Sequence, residues 1–202
     1  MRKYGGICIA DEVQTGFGRT GTKFWGFENW GVVPDMVTMA KGIGNGCPLG
    51  AMTTRPEIAK VMKNRIHFNT FGGNPVSMAQ GLATLEVLDE ENIQGNAKVI
   101  GGYLIEAFRD LQTKHKLIGD VRGMGLMLGM ELVRDRVSKE PANTECAELL
   151  DLMRERQVLV GKGGLFGNTL RIKPAMCLNK NDAEYMVQTI DECLGILEAK
   201  GK

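Results

Sequence analysis

Two apolar runs closed by charged residues lead the chain. The first, over 6–10 (GICIA), ends at Asp11 and Glu12; the second, over 35–40 (DMVTMA), ends at Lys41. Unbroken runs of this length fit central parallel strands covered on both faces, not the alternation of a half-exposed strand. A third run, over 49–53, leads into a short helix predicted over 56–63, and a loop over 67–73 follows. Asn74 and Pro75 read as an N-cap and a first-turn proline, opening a helix that runs to about residue 89. Strands of this kind need neighbours, and no pattern upstream supplies them. The expectation is the C-terminal part of a larger protein.

Beyond residue 90 the style changes. Val99, Ile100, Tyr103, Leu104, Ala107, Phe108 and Leu111 form one stripe of a helix over 97–115. A strand-like stretch over 121–133 carries glycines at 123, 125 and 129, and a helix over 144–157 turns Cys146, Leu149, Leu150 and Met153 inward. Short strands are predicted over 158–160 and 170–173. The last helix opens with Asn181 and Glu184 at capping-box spacing and buries Ala183, Met186, Val187, Ile190, Leu194 and Leu197. The pattern divides the chain into the remainder of a parallel α/β domain, residues 1–90, and a smaller α+β domain, residues 91–202.

Composition narrows the function classes. The 202 residues hold 25 Lys+Arg against 24 Asp+Glu, a net charge of +1 that argues against a nucleic-acid partner. No stretch approaches the roughly 20 uncharged apolar residues of a membrane span. Five cysteines, at 8, 47, 146, 177 and 193, form no CxxC pair, so they read as free thiols and not as a disulfide frame or a metal site. Neither serine, Ser77 or Ser138, lies in a GxSxG elbow, which argues against a serine hydrolase. Glycine, with 27 residues, is about twice as frequent as usual, and fourteen of them fall in the first 81 positions. Such a bias suits a backbone that makes room for a ligand.

In an open parallel sheet, ligands sit outside the carboxyl ends of the strands. Asp11 and Lys41 both stand at such ends and would present an acid and an amine to one crevice. A lysine that closes an apolar strand is partly desolvated, which favours its neutral, nucleophilic form. Schiff-base chemistry requires that form, and a carboxylate suits the ring nitrogen of pyridoxal phosphate. By position alone both residues also fit ordinary solvated turns. Likewise Gly16, Gly18 and Gly21 by themselves mark only tight turns, and the glycines at 123 and 125 fit close backbone packing better than a nucleotide loop.

The motifs go further. DEVQTGFGRTG at 11–21, MAKGIGNG at 39–46, TFGGNP at 70–75 and LRIKP at 170–174 together resemble the signature of class III pyridoxal-phosphate aminotransferases, in the right order and across nearly the whole chain. Within the class, Ile9-Ala10, FWGF at 24–27 and Met176-Cys177 resemble the mitochondrial alanine–glyoxylate branch. The resemblance implies a fold type I PLP-dependent transferase, here the C-terminal part of the large parallel-sheet domain plus the small C-terminal domain. It implies pyridoxal 5'-phosphate as cofactor, with Lys41 as the Schiff-base lysine and Asp11 paired with the pyridine nitrogen. Val13 would pack on the ring and Gln14 would hydrogen-bond the phenolic oxygen or its neighbour. Thr70 would reach the phosphate of a partner subunit, which implies a homodimer or higher homo-oligomer. Arg171 would grip the carboxylate of the amino-acid or 2-oxo-acid substrate. His67, Trp25 and Trp30 are expected to pack, and Glu12 and Arg19 belong to the signature without an assigned role. The resemblance also implies a mitochondrial location. The alternative is a catalytically incompetent fragment or isoform that at most pairs with a full-length subunit.

Overall fold

Both leading runs form strands, shorter than their apolar stretches. In the computed structural model, which describes residues 1–200, β1 (Ile9–Asp11) lies parallel to β2 (Met36–Met39), with Ile9 opposite Met36 and Asp11 opposite Thr38. The third strand, β3 (Ala51–Thr54), pairs antiparallel with β2, so the sheet is mixed, in the order β1-β2-β3. The chain turns back there because the connection over 40–50 is shorter than the dozen or so residues a parallel crossover needs. The expected cover on both faces is absent over β1, where Ile7 and Ile9 are exposed. The chain splits into two compact units, Met1–Gln94 and Gly95–Lys202.

In the first unit, Asp35 is the anchor of the sheet. Its buried carboxylate accepts the Cys8 N–H at 2.8 Å and meets Arg2 Nε and an Arg55 guanidinium nitrogen, each at 3.1 Å. The Cys8 hydrogen bond, then the Arg2 contact, hold this carboxyl below the usual carboxylate range. A short helix, α1 (Pro56–Ala59), continues as a 3-10 turn over Lys60–Asn64. The longer α2 (Pro75–Glu90) opens as the sequence predicts: Asn74 Oδ1 accepts the Ser77 N–H at 3.0 Å, and Pro75 sits in the first turn, where its missing N–H is not needed.

The second unit packs α3 (Ile93–Lys114), α4 (Asn143–Glu155) and α5 (Lys180–Lys200) with a four-stranded antiparallel sheet. Its strands are β4 (Ile118–Met124), β5 (Met127–Leu132), β6 (Gly161–Gly163) and β7 (Thr169–Ile172), in the order β4-β5-β7-β6. The single stretch expected over 121–133 is therefore a hairpin. Gly125, at φ +55°, lets the chain reverse between the paired Met124 and Met127. Strand β6 lies three residues later than expected, because Gly161 is the residue that pairs with Arg171.

The core of this unit gathers Leu104, Phe108, Ile118, Met130, Leu149, Met153, Leu170, Ile190 and Leu194, all buried. Val99 does not join it: at 68 % exposure it points away, one position off the Ala97, Ile100, Leu104, Phe108 and Leu111 stripe. On α5 the cap is Asn179, not Asn181. Asn179 Oδ1 accepts the Asp182 N–H at 2.9 Å, and Lys180 already belongs to the helix. The same helix is clamped through the buried His115, whose Nε2 lies 2.6 Å from Asp191 Oδ1 and whose Nδ1 lies 3.2 Å from Glu198 Oε2. Burial alone would raise the Asp191 carboxyl, but hydrogen bonds from Lys114 and His115 outweigh it and hold it below the usual range.

Candidate active site

The ends of β1 and β2 bring the first two chemical residues to neighbouring strands. Asp11 Oδ1 accepts the Val13 N–H at 3.2 Å and the Thr38 hydroxyl at 3.3 Å, which fixes the carboxylate beside β2 without a cation. Lys41 stands three residues beyond Thr38, at the start of a 3-10 turn over Lys41–Ile43. Both side chains are exposed, and neither forms an ion pair among the described residues. The partial desolvation expected of Lys41 is not seen, because β2 ends at Met39 and the lysine projects past it.

Strand alternation sends the next residue the other way. Glu12 is 3 % exposed and receives three hydrogen bonds: from Gly26 N at 2.7 Å, Phe27 N at 2.8 Å and Thr15 Oγ1 at 2.8 Å. Its role is thus structural, a carboxylate that ties the glycine-rich loop over 15–21 to the aromatic segment. Gly16 and Gly26 are needed for that closure: a Cβ on Gly16 would stand 2.9 Å from the Trp25 ring, and one on Gly26 would stand 2.7 Å from Thr15 Cβ. Burial lowers the Arg19 guanidinium below its ordinary value. Val13 and Gln14, half-buried, occupy the turn directly after the strand.

The Lys41 turn is held from behind as well. The Lys41 carbonyl accepts the N–H groups of Gly44 and Asn45, each at 3.1 Å. From α2, Gln80 Nε2 donates to the Gly44 carbonyl at 3.0 Å, and Ser77 Oγ lies 3.4 Å from Cys47 Sγ. Gly81 leaves room for Leu49, which a Cβ would meet at 2.7 Å. Neither Gln80 nor Ser77 stands out in the sequence. Their signal, two polar residues at i and i+3 near the start of an otherwise apolar helix, is too common to single out.

Thr70 lies exposed in the turn before α2, near the exposed Phe68 and Phe71. Trp25 packs as expected, edge-on to Phe17 and Phe24 with both centroids at 5.0 Å. Trp30, 70 % exposed, and His67, also exposed, do not pack. Trp30 closes a 3-10 turn over Gly26–Trp30 on its outer side, and His67 sits in irregular chain where nothing covers it.

In the second unit, Arg171 lies exposed on β7, along a groove of about 420 Å³ lined also by Leu159, Val160, Ile172, Lys173, Pro174 and Met186. Its stem runs beside glycines: a Cβ on Gly161 would lie 3.7 Å from Arg171 Nε, and one on Gly163 would lie 3.8 Å from Arg171 Cβ. No carboxylate pairs with this guanidinium among the described residues, so its planar fork is open to an anion. A mostly apolar groove that also holds the cations of Arg171 and Lys173 suits a small carboxylic acid. No group of acids, histidines or cysteines that could hold a metal occurs among the described residues.

The profile of the aminotransferase class-III family matches residues 1–194. The chain belongs to that family. This aminotransferase chain is 58 % identical over 191 residues to alanine–glyoxylate aminotransferase 2 homolog 2, mitochondrial, from Arabidopsis thaliana, which covers 95 % of the chain and 40 % of that protein. It is 48 % identical to the human mitochondrial alanine–glyoxylate aminotransferase 2, over 96 % of the chain and 38 % of that protein. Among solved structures it resembles an amine transaminase from an uncultivated Pseudomonas species in its PLP-bound form. The TM-score is 0.89 at 33 % identity, covering 96 % of this chain and 46 % of that one. The aminotransferase chain thus spans about two fifths of the length of the curated relatives it matches. The similarity to transaminases of fold type I extends over both of its units.

Proposed function

We propose that this chain carries the lysine-bearing part of a pyridoxal-phosphate site. It would move an amino group from alanine, or from a β-amino acid such as 3-amino-2-methylpropionate, to glyoxylate or pyruvate. The observation that carries the reading is the parallel register of β1 and β2, which sets Asp11 against Thr38 and so beside the strand that leads into the Lys41 turn. The donor set fits the group. Asp11 offers an uncompensated carboxylate to a protonated ring nitrogen, Lys41 an exposed amine to an aldehyde, and the glycines at 42, 44 and 46 a backbone free of side chains.

In this reading Lys41 holds the cofactor through its amine, Asp11 keeps the ring nitrogen protonated, Val13 packs on the ring and Gln14 hydrogen-bonds the phenolic oxygen. When bound, pyridoxal phosphate supplies the electron-withdrawing ring that accepts the charge left at the substrate α-carbon. Once the substrate amine has replaced it on the cofactor, the freed Lys41 Nζ would be the base that takes the proton from that carbon. Arg171 holds the carboxylate of successive substrates, so one residue serves both half-reactions. Thr70 reaches the phosphate of a second subunit, which makes the assembly a homodimer or larger. Residues 1–90 would belong to the large cofactor-binding domain and 91–202 to the small domain, a reading supported by the split after Gln94. The location would be mitochondrial, supported by the names of the plant and human relatives.

A second reading has its own support. Ile7, Ile9, Met52, Val76 and Leu82 are exposed in the first unit, as in a chain that is catalytically incompetent by itself and at most pairs with a full-length subunit. Mixing the chain with pyridoxal phosphate separates the two. A visible absorbance band that alanine discharges, and that Lys41→Ala abolishes, supports the enzyme. Absence of the band in the unsubstituted chain supports the incompetent form.

A further inference from the structure

Phe17 and Lys41 are two side-chain-bearing residues in a backbone conformation that side chains resist, and the Phe17 ring packs against Gly42, the residue after Lys41. Phe17 has φ +62° and Lys41 φ +50°. For an L-residue that region costs about 1–2 kcal/mol, and a bulky aromatic there is an outlier that its surroundings must hold. Phe17 is held firmly. It is 4 % exposed, edge-on to Trp25 at 5.0 Å and to Phe24 at 5.7 Å, and the next residue, Gly18, donates its N–H to the Phe24 carbonyl at 2.9 Å. The Glu12 carboxylate fixes the far end of the same loop. On its other side the ring abuts Gly42: a Cβ placed there would stand 3.2 Å from Phe17 Cδ2.

We propose that Phe17 is a positioning residue for Lys41, its ring backing Gly42 so that the turn cannot relax and the lysine keeps its left-handed backbone. The role rests on the reading of Lys41 as the cofactor lysine. Phe17 touches neither substrate nor cofactor in it; it acts through the glycine. Without the ring, the space behind Gly42 lets Lys41 return to an ordinary φ, which re-aims its amine. The glycine at 42 is required for closeness and not for its own torsion, since Gly42 is not among the positive-φ residues.

The test uses the whole chain and three variants: Phe17→Leu, Gly42→Ala and the double substitution. Two readouts are taken, amide exchange of the peptide over 39–46 and the rate at which pyridoxal phosphate with borohydride labels Lys41 relative to the exposed Lys3 and Lys23. Phe17→Leu should speed exchange over 39–46, leave the peptides of the second unit unchanged and lower relative labelling of Lys41 on the order of 10- to 100-fold. Gly42→Ala should do the same by pushing the ring. In the Phe17→Leu background it should add little, because the methyl then has room. Parental exchange and labelling in Phe17→Leu, or two effects that simply add, would overturn the proposal. If Phe17→Leu exposes the whole first unit, Gly42→Ala decides alone: faster exchange over 39–46 supports the proposal and unchanged exchange overturns it. Failure of the unsubstituted chain to label Lys41 would instead count against the cofactor reading, while the exchange data would still decide the role of Phe17.

Discussion

Three of the four carboxylates within the first 35 residues do three different jobs, and their surroundings decide which. Asp11 is exposed and unpaired by any cation among the described residues, Glu12 is spent on three local donors, and Asp35 locks the sheet to the chain's first residues. Replacing Glu12 by Ala leaves the Gly26 and Phe27 N–H groups buried without acceptors and should cost about 2–3 kcal/mol in urea unfolding. Asp11→Asn, by contrast, removes no ion pair and should change stability by less than about 0.5 kcal/mol while weakening cofactor labelling. Asp35 carries a pH dependence. Its folded carboxyl lies below the unfolded value, so its contribution is complete above the ordinary carboxylate range and fades as pH falls through the folded value. The stability difference between the parent and Asp35→Asn should therefore shrink below about pH 4, measured by unfolding at stepped pH. A difference that grew on acidification would contradict the assignment. From the sequence, Asp11 and Lys41 were legible because strand ends advertise themselves as charges closing apolar runs. The division of labour between Asp11 and Glu12 was not, because it depends on which of two adjacent acids strand alternation turns inward.

At the scale of elements, close backbone approach does much of the work. A Cβ on Gly101 would stand 2.3 Å from the Gly125 backbone, so α3 can lie against the β4–β5 turn only if residue 101 lacks a side chain. Gly101→Ala should destabilise the second unit by about 1–3 kcal/mol despite its gain in helix propensity, a sign that thermal unfolding would check. His115 is the other critical element contact. Its removal as His115→Ala leaves two carboxylates of α5 facing each other around a cavity, for a loss of about 2–4 kcal/mol. The helices were largely readable, since α3, α4 and α5 follow a 3.6-residue stripe and Asn74 caps α2 as its position suggests. The β4–β5 hairpin and the β6 register were not. Both turn on glycine torsions and pairing partners, Gly125 reversing the chain and Gly161 opposite Arg171, which apolar periodicity does not encode.

At the scale of the whole molecule, the two units differ in how completely they bury themselves. The second encloses one continuous core, whereas the first leaves Ile7, Ile9, Met52, Leu82 and both phenylalanines beside Thr70 in solvent. Amide exchange should accordingly be slower throughout the second unit's strands than in β1–β3, and denaturant should release the first unit at lower concentration. Single-step loss of both units would contradict that ranking. The fold class and family were legible because four motifs, spread from residue 11 to residue 174, keep their order. The exposure of the first unit's sheet and helix was not, because an apolar run does not say how much of its cover the same chain supplies.

The most direct test is covalent. The chain is incubated with pyridoxal phosphate, reduced with borohydride and digested, and the modified lysine is located by peptide mass. A dominant adduct on Lys41, weakened in Asp11→Asn and displaced by alanine beforehand, is the expected result. Labelling spread evenly over the exposed lysines would contradict the assignment of Lys41 as the residue around which this site is built.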